Sequence, residues 1–567
     1  MAMTESANVP AGRALQGPPE RRVTLAFLGV GLAAMLLGFL LGPPQALNYA
    51  GINVYDYLPL SSYYQGLTLH GVLMALVFTS YFICGLLLYL PARELGMRPR
   101  MPGAWLAFWM MTVGTVMAGA AMVADTSNVL YTLYPPMQGH PAFYLGLALV
   151  VVATLVTAVL TFDMCLGWRK ANPGQPIPLV TFMAVVTWIM WFIASVGLAV
   201  GVLFMLLPWS LGWVEGTDPQ LFRTLFWYTG HPIVYFWLLP AYIAWYAIVP
   251  RQAGGKLISD PMVRLVFLMF LLFSIPVGFH HQYADPGIPM AWKLVHNIMT
   301  AFVAIPSLIT AFTVAASLEN GGRARGGKGL LGWIPVLPWK NAAFTASVLA
   351  MVTFIFGGAG GMVLASFNLN LVVHNTAFIP GHFHITVGTA VTMTFMGLAF
   401  VLIPHLSGRA LLAPKAALAS VWLWFVGMMI FAVGMHWQGV LGVPRRSKIS
   451  DIAGEYADVY ANAAFPAALS GLGGVILFVA GALFFWVIVG TLLRRRAENQ
   501  AELPDVEFTE TLSGPYQPDG TPKRHVMIMD RLWLWTALTV VLVAIAYAPT
   551  LIDQVSGYVG VPGMQLW

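Results

Sequence analysis

The chain has 567 residues, of which 59% are hydrophobic and only 9% charged, against roughly 25% charged in an ordinary soluble protein. So little charge over such a length excludes a soluble enzyme. Apolar runs of about 20 residues recur from end to end and predict a polytopic membrane protein. The net charge of +6 sums 28 basic and 22 acidic residues, so the placement of the cations carries more than their total, and no nucleic-acid partner is expected. Cys84 and Cys165, the two cysteines, sit far apart in apolar runs and point to neither a disulfide framework nor a thiolate metal site. Twelve histidines stand beside 22 carboxylates, and imidazoles buried in a membrane are costly and usually functional.

In chain order, thirteen spans are predicted at about 23–42, 66–91, 103–124, 142–168, 178–208, 220–249, 261–283, 293–318, 342–366, 374–403, 414–439, 463–492 and 532–552. Backbone polar groups in hydrocarbon must be satisfied within each segment, so the fold class is an all-α membrane bundle of about 13 transmembrane helices, and residues 1–567 read as one polytopic domain. The first run begins only at Val23, after a Pro/Gly-containing stretch without a small-residue cleavage signal, and is read as a retained span. With the N-terminus inside, 23 of the 28 basic residues fall on the cytoplasmic side, among them Arg13, Arg93, Arg251, Lys256 and Arg264. The five left over are Arg223, Lys293, Arg445, Arg446 and Lys448, three of them crowded into VPRRSK after the eleventh span. Such a breach of the positive-inside rule asks for an anionic partner outside. The longest connection, 493–531, is expected to be an irregular cytoplasmic loop.

The second span opens YYQGLTLHG and places His70 just inside the outer surface. The sixth carries GHPIVYFW, with His231 and Tyr235 four residues apart and hence on one helix face. The seventh ends SIPVGFHHQY. Adjacent residues on a regular helix point ~100° apart, but Pro276 and Gly278 can distort the backbone so that His280 and His281 converge. The tenth opens HNTAFIPGHFHITVG, with His374, His382 and His384. At ~1.5 Å rise per residue, His231 lies roughly 16 Å below the outer end of its span and His382 and His384 roughly 12–15 Å below theirs. With His70, His280 and His281 somewhat shallower, all share the outer half of the bilayer.

Residues two apart on a helix project ~200° from one another, so His382 and His384 cannot share one mononuclear metal. Two centres are implied, and a helix flanked by two flat macrocycles, each iron held by one histidine, meets that geometry. His70 would supply the second axial ligand of one haem, while the other keeps an open face. His231, His280 and His281 would form a three-imidazole copper site opposite that face, since imidazole suits copper and no thiolate is available. His140, His405, His436 and His525 read as loop or packing residues; for His296, structure and an outer polar cluster both stay open.

Here the motifs GHPIVYFWLLPAY, VGFHHQYADPG, HNTAFIPGHFH and VPRR, spread over nearly the whole chain, resemble subunit I of the haem-copper terminal oxidases, specifically the B-type (ba-type) branch of cytochrome c oxidases. The resemblance implies a catalytic subunit that reduces O2 to water with electrons from cytochrome c, coupled to proton uptake and pumping across a prokaryotic plasma membrane. It implies two haems, a low-spin b-type held by His70 and His384 and a high-spin a-type held by His382, and one copper ion, CuB, held by His231, His280 and His281. In that family the tyrosine four residues after the first copper histidine is covalently joined to it and gives an electron and a proton to bound oxygen; here that is Tyr235. Arg445 and Arg446 would pair with haem propionates pointing outward, with His374 in the same cluster. One departure appears: B-type relatives carry an aspartate four residues before this last histidine, where this chain has Asn370, so that acid's part in holding a pumped proton is not carried over.

The A-type branch has a glutamate two residues after the first copper histidine, whereas this chain has Ile233, which excludes a carboxylate-based channel there. Hydroxyls remain as carriers. Tyr235, Tyr242 and Tyr246 descend the sixth helix, and Ser307, Thr310 and Thr313 descend the eighth at three-residue spacing on one face, matching the B-type branch's single proton route. Each Ser or Thr alone could instead bond its own helix backbone. The chain has no cupredoxin-like segment, so electrons are expected from a partner subunit II with an outer copper (CuA) domain, fed by cytochrome c. A small single-span subunit is a further candidate partner, in a surround of membrane lipid. Two rivals are weighed. A nitric oxide reductase of the same superfamily would prefer non-haem iron flanked by glutamates, which Tyr235 and the missing glutamates argue against; a haem-free transporter with a histidine-lined passage would show no haem bands.

Overall fold

The computed structural model describes residues 18–451, 458–498 and 503–567; Arg13, counted above among the cytoplasmic cations, lies outside them. The chain is a multi-pass membrane protein: among the described residues, twelve helices are long and apolar enough to cross a bilayer. They match the expected spans with ends shifted by a few residues. The second is Tyr63–Leu95, the sixth Pro219–Gln252, the eighth Met290–Ala324, the tenth Phe378–Ser407 and the thirteenth Leu532–Ser556.

The remaining span, the seventh, is broken. Its α-helix runs only over Asp260–Phe273, four non-helical residues follow, and a 3₁₀ turn over Gly278–Gln282 ends the segment. Pro276, with no N–H to give, lies in the gap, as expected of a helix-breaking residue. The sixth span is also interrupted, between Pro219–Gly230 and Pro232–Ala247, and His231 sits at the joint. The tenth helix begins at Phe378, four residues later than His374, where the span was expected to open. Asn375 just before it takes a left-handed φ of 62°, a conformation that asparagine tolerates better than most residues and that no helix continues through.

Three π-helical segments interrupt the α-helices of the spans. Val72–Phe78 follows His70, Thr386–Val391 follows His384, and Gly201–Leu206 lies in the fifth span. All three border the central cavity. Such bulges are frequent at functional sites.

In its described residues, the connection 493–531 has more regular structure than the irregular loop expected of it. Thr511–Ser513 pairs in parallel with Leu257–Ser259, and Arg524–Met529 is helical. Its acids meet the basic ends of the spans: Asp505 with Arg93 at 2.7 Å, Glu507 with Arg251 and Glu510 with Lys256, both at 2.6 Å. At the opposite face, Val561–Pro562 and Met564–Gln565 pair with Gly216–Thr217 and Met137–Gln138. A buried charge cluster pins the start of the thirteenth span to the seventh. Arg264, 1% exposed, bonds Asp260 at 2.6 Å, Asp530 at 2.7 Å and the Ile177 carbonyl at 2.7 Å. A buried cation needs this completeness, since removing one partner would leave an uncompensated charge.

Candidate functional site

A cavity of about 1400 Å³ occupies the bundle, and His70, His231, His280, His281, His374, His382 and His384 all line it. On one side, three imidazoles converge. Their ligand nitrogens lie within 4.8 Å of one another, with His231 Nδ1 3.1 Å and His280 Nε2 2.9 Å from His281 Nε2. Metal–nitrogen bonds of about 2 Å put neighbouring donors roughly 3 Å apart, so the set fits a single cation. Thr300 fixes the state of one ring. Its hydroxyl donates to the His296 carbonyl at 2.6 Å and therefore accepts from His280 Nδ1 at 2.9 Å, which leaves the His280 Nε2 lone pair free for a metal. The His281 ring lies flat on Trp227, with centroids 3.8 Å apart and planes 5° from parallel. The Tyr235 ring is 4.9 Å from that of His231, whose buried Nε2 has no hydrogen-bond partner among the described residues.

On the other side, His70 and His384 face each other with ring centroids 6.3 Å apart and planes 9° from parallel. His70 Nδ1 donates to Gly38 O at 2.8 Å and His384 Nδ1 to Pro380 O at 2.7 Å. Both rings therefore keep an unprotonated Nε2, and two such facing imidazoles would suit a haem iron between them. His382, two residues earlier, belongs to a different neighbourhood. A Cβ on Gly360 would come 3.2 Å from its Nδ1, and one on Gly361 3.3 Å from its Cε1, so this glycine pair in the ninth span leaves room around a third imidazole. Two flat macrocycles, one each side of the tenth helix, fit the donors and the space.

Arg445 and Arg446 crown the cavity. Arg445 Nε donates to Asn375 Oδ1 at 2.8 Å. The Arg446 guanidinium lies 4.9 Å from the Tyr131 ring centroid, and its buried Nε and Nη2 have no hydrogen-bond partner among the described residues. Burial, and then the adjacent Arg446 cation, lowers Arg445 to about 10, so it stays charged at neutral pH. Among the described residues neither arginine is ion-paired to a carboxylate. The pair is built to hold an anion. His374 stands nearby, its Nδ1 donating to Asn370 Oδ1 at 3.1 Å, with burial and then Arg445 holding it below the usual imidazole range.

The hydroxyls form cross-helix pairs. Tyr246 donates to Thr310 Oγ1 at 2.6 Å, and Tyr242 faces Ser307 Oγ at 3.4 Å, long for an O–H···O bond. Thr310 and Ser307 also donate to their own helix, at Pro306 O and Val303 O, so the back-bonding alternative and the ladder coexist. Thr313 is buried one turn further on. The stripe runs on beyond Thr313, the last residue expected on it: Ser317 and Asn320, four and then three residues further, accept from the Ile258 and Lys256 amides.

The other histidines have local duties. His405 takes the Tyr89 hydroxyl at 2.8 Å and gives Nδ1–H to Pro504 O at 3.2 Å. His140 caps the fourth span through Ala142 N, His436 bonds Ala432 O, and His525 is exposed. His296 belongs to structure, bonding Phe279 N and Ala546 O.

A profile of the family described as cytochrome c and quinol oxidase polypeptide I matches residues 22–476. The chain is 53% identical over 563 residues to cytochrome c oxidase subunit 1 of Thermus thermophilus, covering 98% of each chain. It is 25% identical over 459 residues to alternative cytochrome c oxidase subunit 1 of Bradyrhizobium diazoefficiens, covering 75% of this chain and 73% of that one. Among solved structures, it is similar to a chain from a cryo-EM study of a heme-copper terminal oxidase dimer, with a TM-score of 0.91 and 37% identity over 96% of this chain and 95% of that one.

Proposed function

The chain belongs to the cytochrome c and quinol oxidase polypeptide I family and is the catalytic subunit I of a haem-copper respiratory oxidase, and on that premise we propose that His231, His280 and His281 hold CuB, His382 the high-spin haem, and His70 with His384 the low-spin haem. The observation that carries this reading is the meeting of the three copper-side nitrogens within 4.8 Å, with the His280 lone pair freed by Thr300. When bound, the irons and the copper store and pass the electrons that reduce O2. The protein supplies orientation, dryness and protons.

Tyr235 is the hydrogen donor at the site, beside the His231 ring. Its protons arrive over Tyr246, Thr310, Ser307 and Tyr242, with Thr313 on the approach; the pairs at 2.6 and 3.4 Å support the route. Arg445 and Arg446 hold the haem propionates, in a cluster that includes His374. Asn370 is a fixed amide there: its Nδ2 donates to Leu364 O at 2.6 Å and faces His280 O at 3.4 Å, while its Oδ1 accepts from His374. An amide does not titrate, so the position orients His374 and stores no proton.

The low-spin haem is b-type and the high-spin haem a-type. Electrons come from cytochrome c through a subunit II with an outer CuA domain, and a small single-span subunit completes the assembly in the lipid of the prokaryotic plasma membrane. The chain forms one polytopic domain with 493–531 on the cytoplasmic side. Drawing protons from there and electrons from the opposite face separates charge, and each charge moved is worth about 2.3 kcal/mol per 100 mV. Metal and haem analysis of the purified complex tests the assignment: two haem irons and one CuB copper per subunit I are expected, beyond the CuA copper. Non-haem iron in place of that copper would overturn it in favour of the nitric-oxide-reducing alternative.

A further inference from the structure

Where the seventh helix stops at Phe273, its backbone amides lose their intrahelical partners at membrane depth, and each must find another. Two of them immediately precede the copper-side histidines. Gly278 N donates to the Tyr547 hydroxyl at 3.0 Å, and that hydroxyl donates to Ile275 O at 3.0 Å, so a single side chain bridges the bend. Phe279 N donates to His296 Nδ1 at 3.2 Å, which leaves His296 Nε2–H to donate to Ala546 O at 3.1 Å. This network sets the tautomer.

Packing follows the same lines. The Phe279 ring stacks on His296 at 4.0 Å and 17° and meets Tyr547 edge-on at 5.1 Å. A Cβ on Gly278 would run into both the Tyr547 hydroxyl and the Trp227 carbonyl, and the Trp227 ring is the surface on which His281 lies. Tyr547 and His296 are 1% and 0% exposed. Ala546 and Tyr547 belong to the thirteenth span, outside the stretch 22–476 that the family profile matches.

We propose that Tyr547 and His296 are positioning residues for the copper site: they clamp the Gly278–Phe279 backbone and so set the directions of His280 and His281. The inference rests on the reading of His231, His280 and His281 as the copper ligands. Groups that orient metal ligands without touching the metal cost ~10–100-fold in metal affinity when removed.

The test uses the purified complex. Tyr547→Phe keeps the ring and removes only the bridging hydroxyl. The variant is expected to lose CuB copper to a chelator about tenfold faster than the parent. The infrared band of carbon monoxide transferred by light from the haem iron to the copper should shift or broaden, while the low-spin haem spectrum stays unchanged. Val543→Ala, a buried cavity-forming change one turn away on the same helix, should do neither. His296→Gln, which can still accept from Phe279 and donate to Ala546, should hold copper as the parent does, whereas His296→Leu should not. Parent-like copper retention and an unmoved band in Tyr547→Phe, or the same losses in Val543→Ala, would overturn the proposal. A parent complex without CuB copper would overturn the ligand reading itself, and the clamp with it.

Discussion

The histidines proposed to hold haem and those proposed to hold copper are oriented by different kinds of bond. His384 gives its Nδ1–H to the carbonyl four residues back on its own helix, and His70 to Gly38 at the end of the first span. Both sit on continuous helices, each with a π segment just beyond. The copper-side rings sit on broken backbone, and their orientation is borrowed: from Thr300 in the eighth span, Trp227 in the sixth and Tyr547 in the thirteenth. The difference has a physical reason. A macrocycle is rigid and arrives with its own plane, so its axial imidazoles need only the correct height and tautomer. A bare ion brings no shape, and the protein must supply every angle.

The largest expected effect lies on the copper side. Tyr235→Phe should abolish oxygen reduction, a loss of roughly 10²–10⁴-fold in turnover for a removed proton donor, while both haems remain bound by their optical spectra. Near-normal turnover would refute its role, and loss of the low-spin haem would break the comparison by showing that the two sides do not stand apart. Next, Thr300→Val removes the acceptor that fixes His280, and CuB copper affinity should fall about tenfold or more with the His70–His384 haem spectrum unmoved. An equal disturbance of both would again count against two independent sides. Thr310→Val cuts the hydroxyl ladder below both, so turnover should drop by about tenfold while copper and haem contents hold; unchanged proton uptake in stopped flow would remove Thr310 from the route.

The smallest effect is expected at Asn370→Asp. A carboxylate beside His374 favours the imidazolium, so its pKa, now held down by burial and Arg445, should rise. Any step that needs neutral His374 should then shift to higher pH, by up to about one unit. A pH–rate profile superimposable on the parent's would show that His374 does not titrate in turnover.

Much of this was legible in the sequence because it is local. Hydropathy located the spans, four-residue spacing put Tyr235 beside His231, Pro276 and Gly278 announced the bend that lets His280 and His281 meet, and three-residue spacing drew the hydroxyl stripe. Periodicity reports the faces of one helix and says nothing about which neighbour covers them. His296 therefore stayed ambiguous, and Tyr547, more than 250 residues from its partner amide, gave no signal at all. The π segments escaped because they change the turn over only six or seven residues. The strand at Thr511–Ser513 lies in a stretch whose acids and prolines resemble any solvated loop, and only its pairing with Leu257–Ser259 orders it.

The long sequence separation between Gly278 and Tyr547 bears on how the protein is made. Synthesis delivers residues in order, so the segment holding His280 and His281 enters the membrane more than 250 residues before the groups that close its last two backbone bonds. Until Ala546 and Tyr547 arrive, the Gly278 amide lacks its final acceptor and His296 has no carbonyl for its Nε2–H. Copper offered to a nascent chain would meet an unfinished cup. The segment that holds both histidines is thus finished only once the thirteenth span has packed against it.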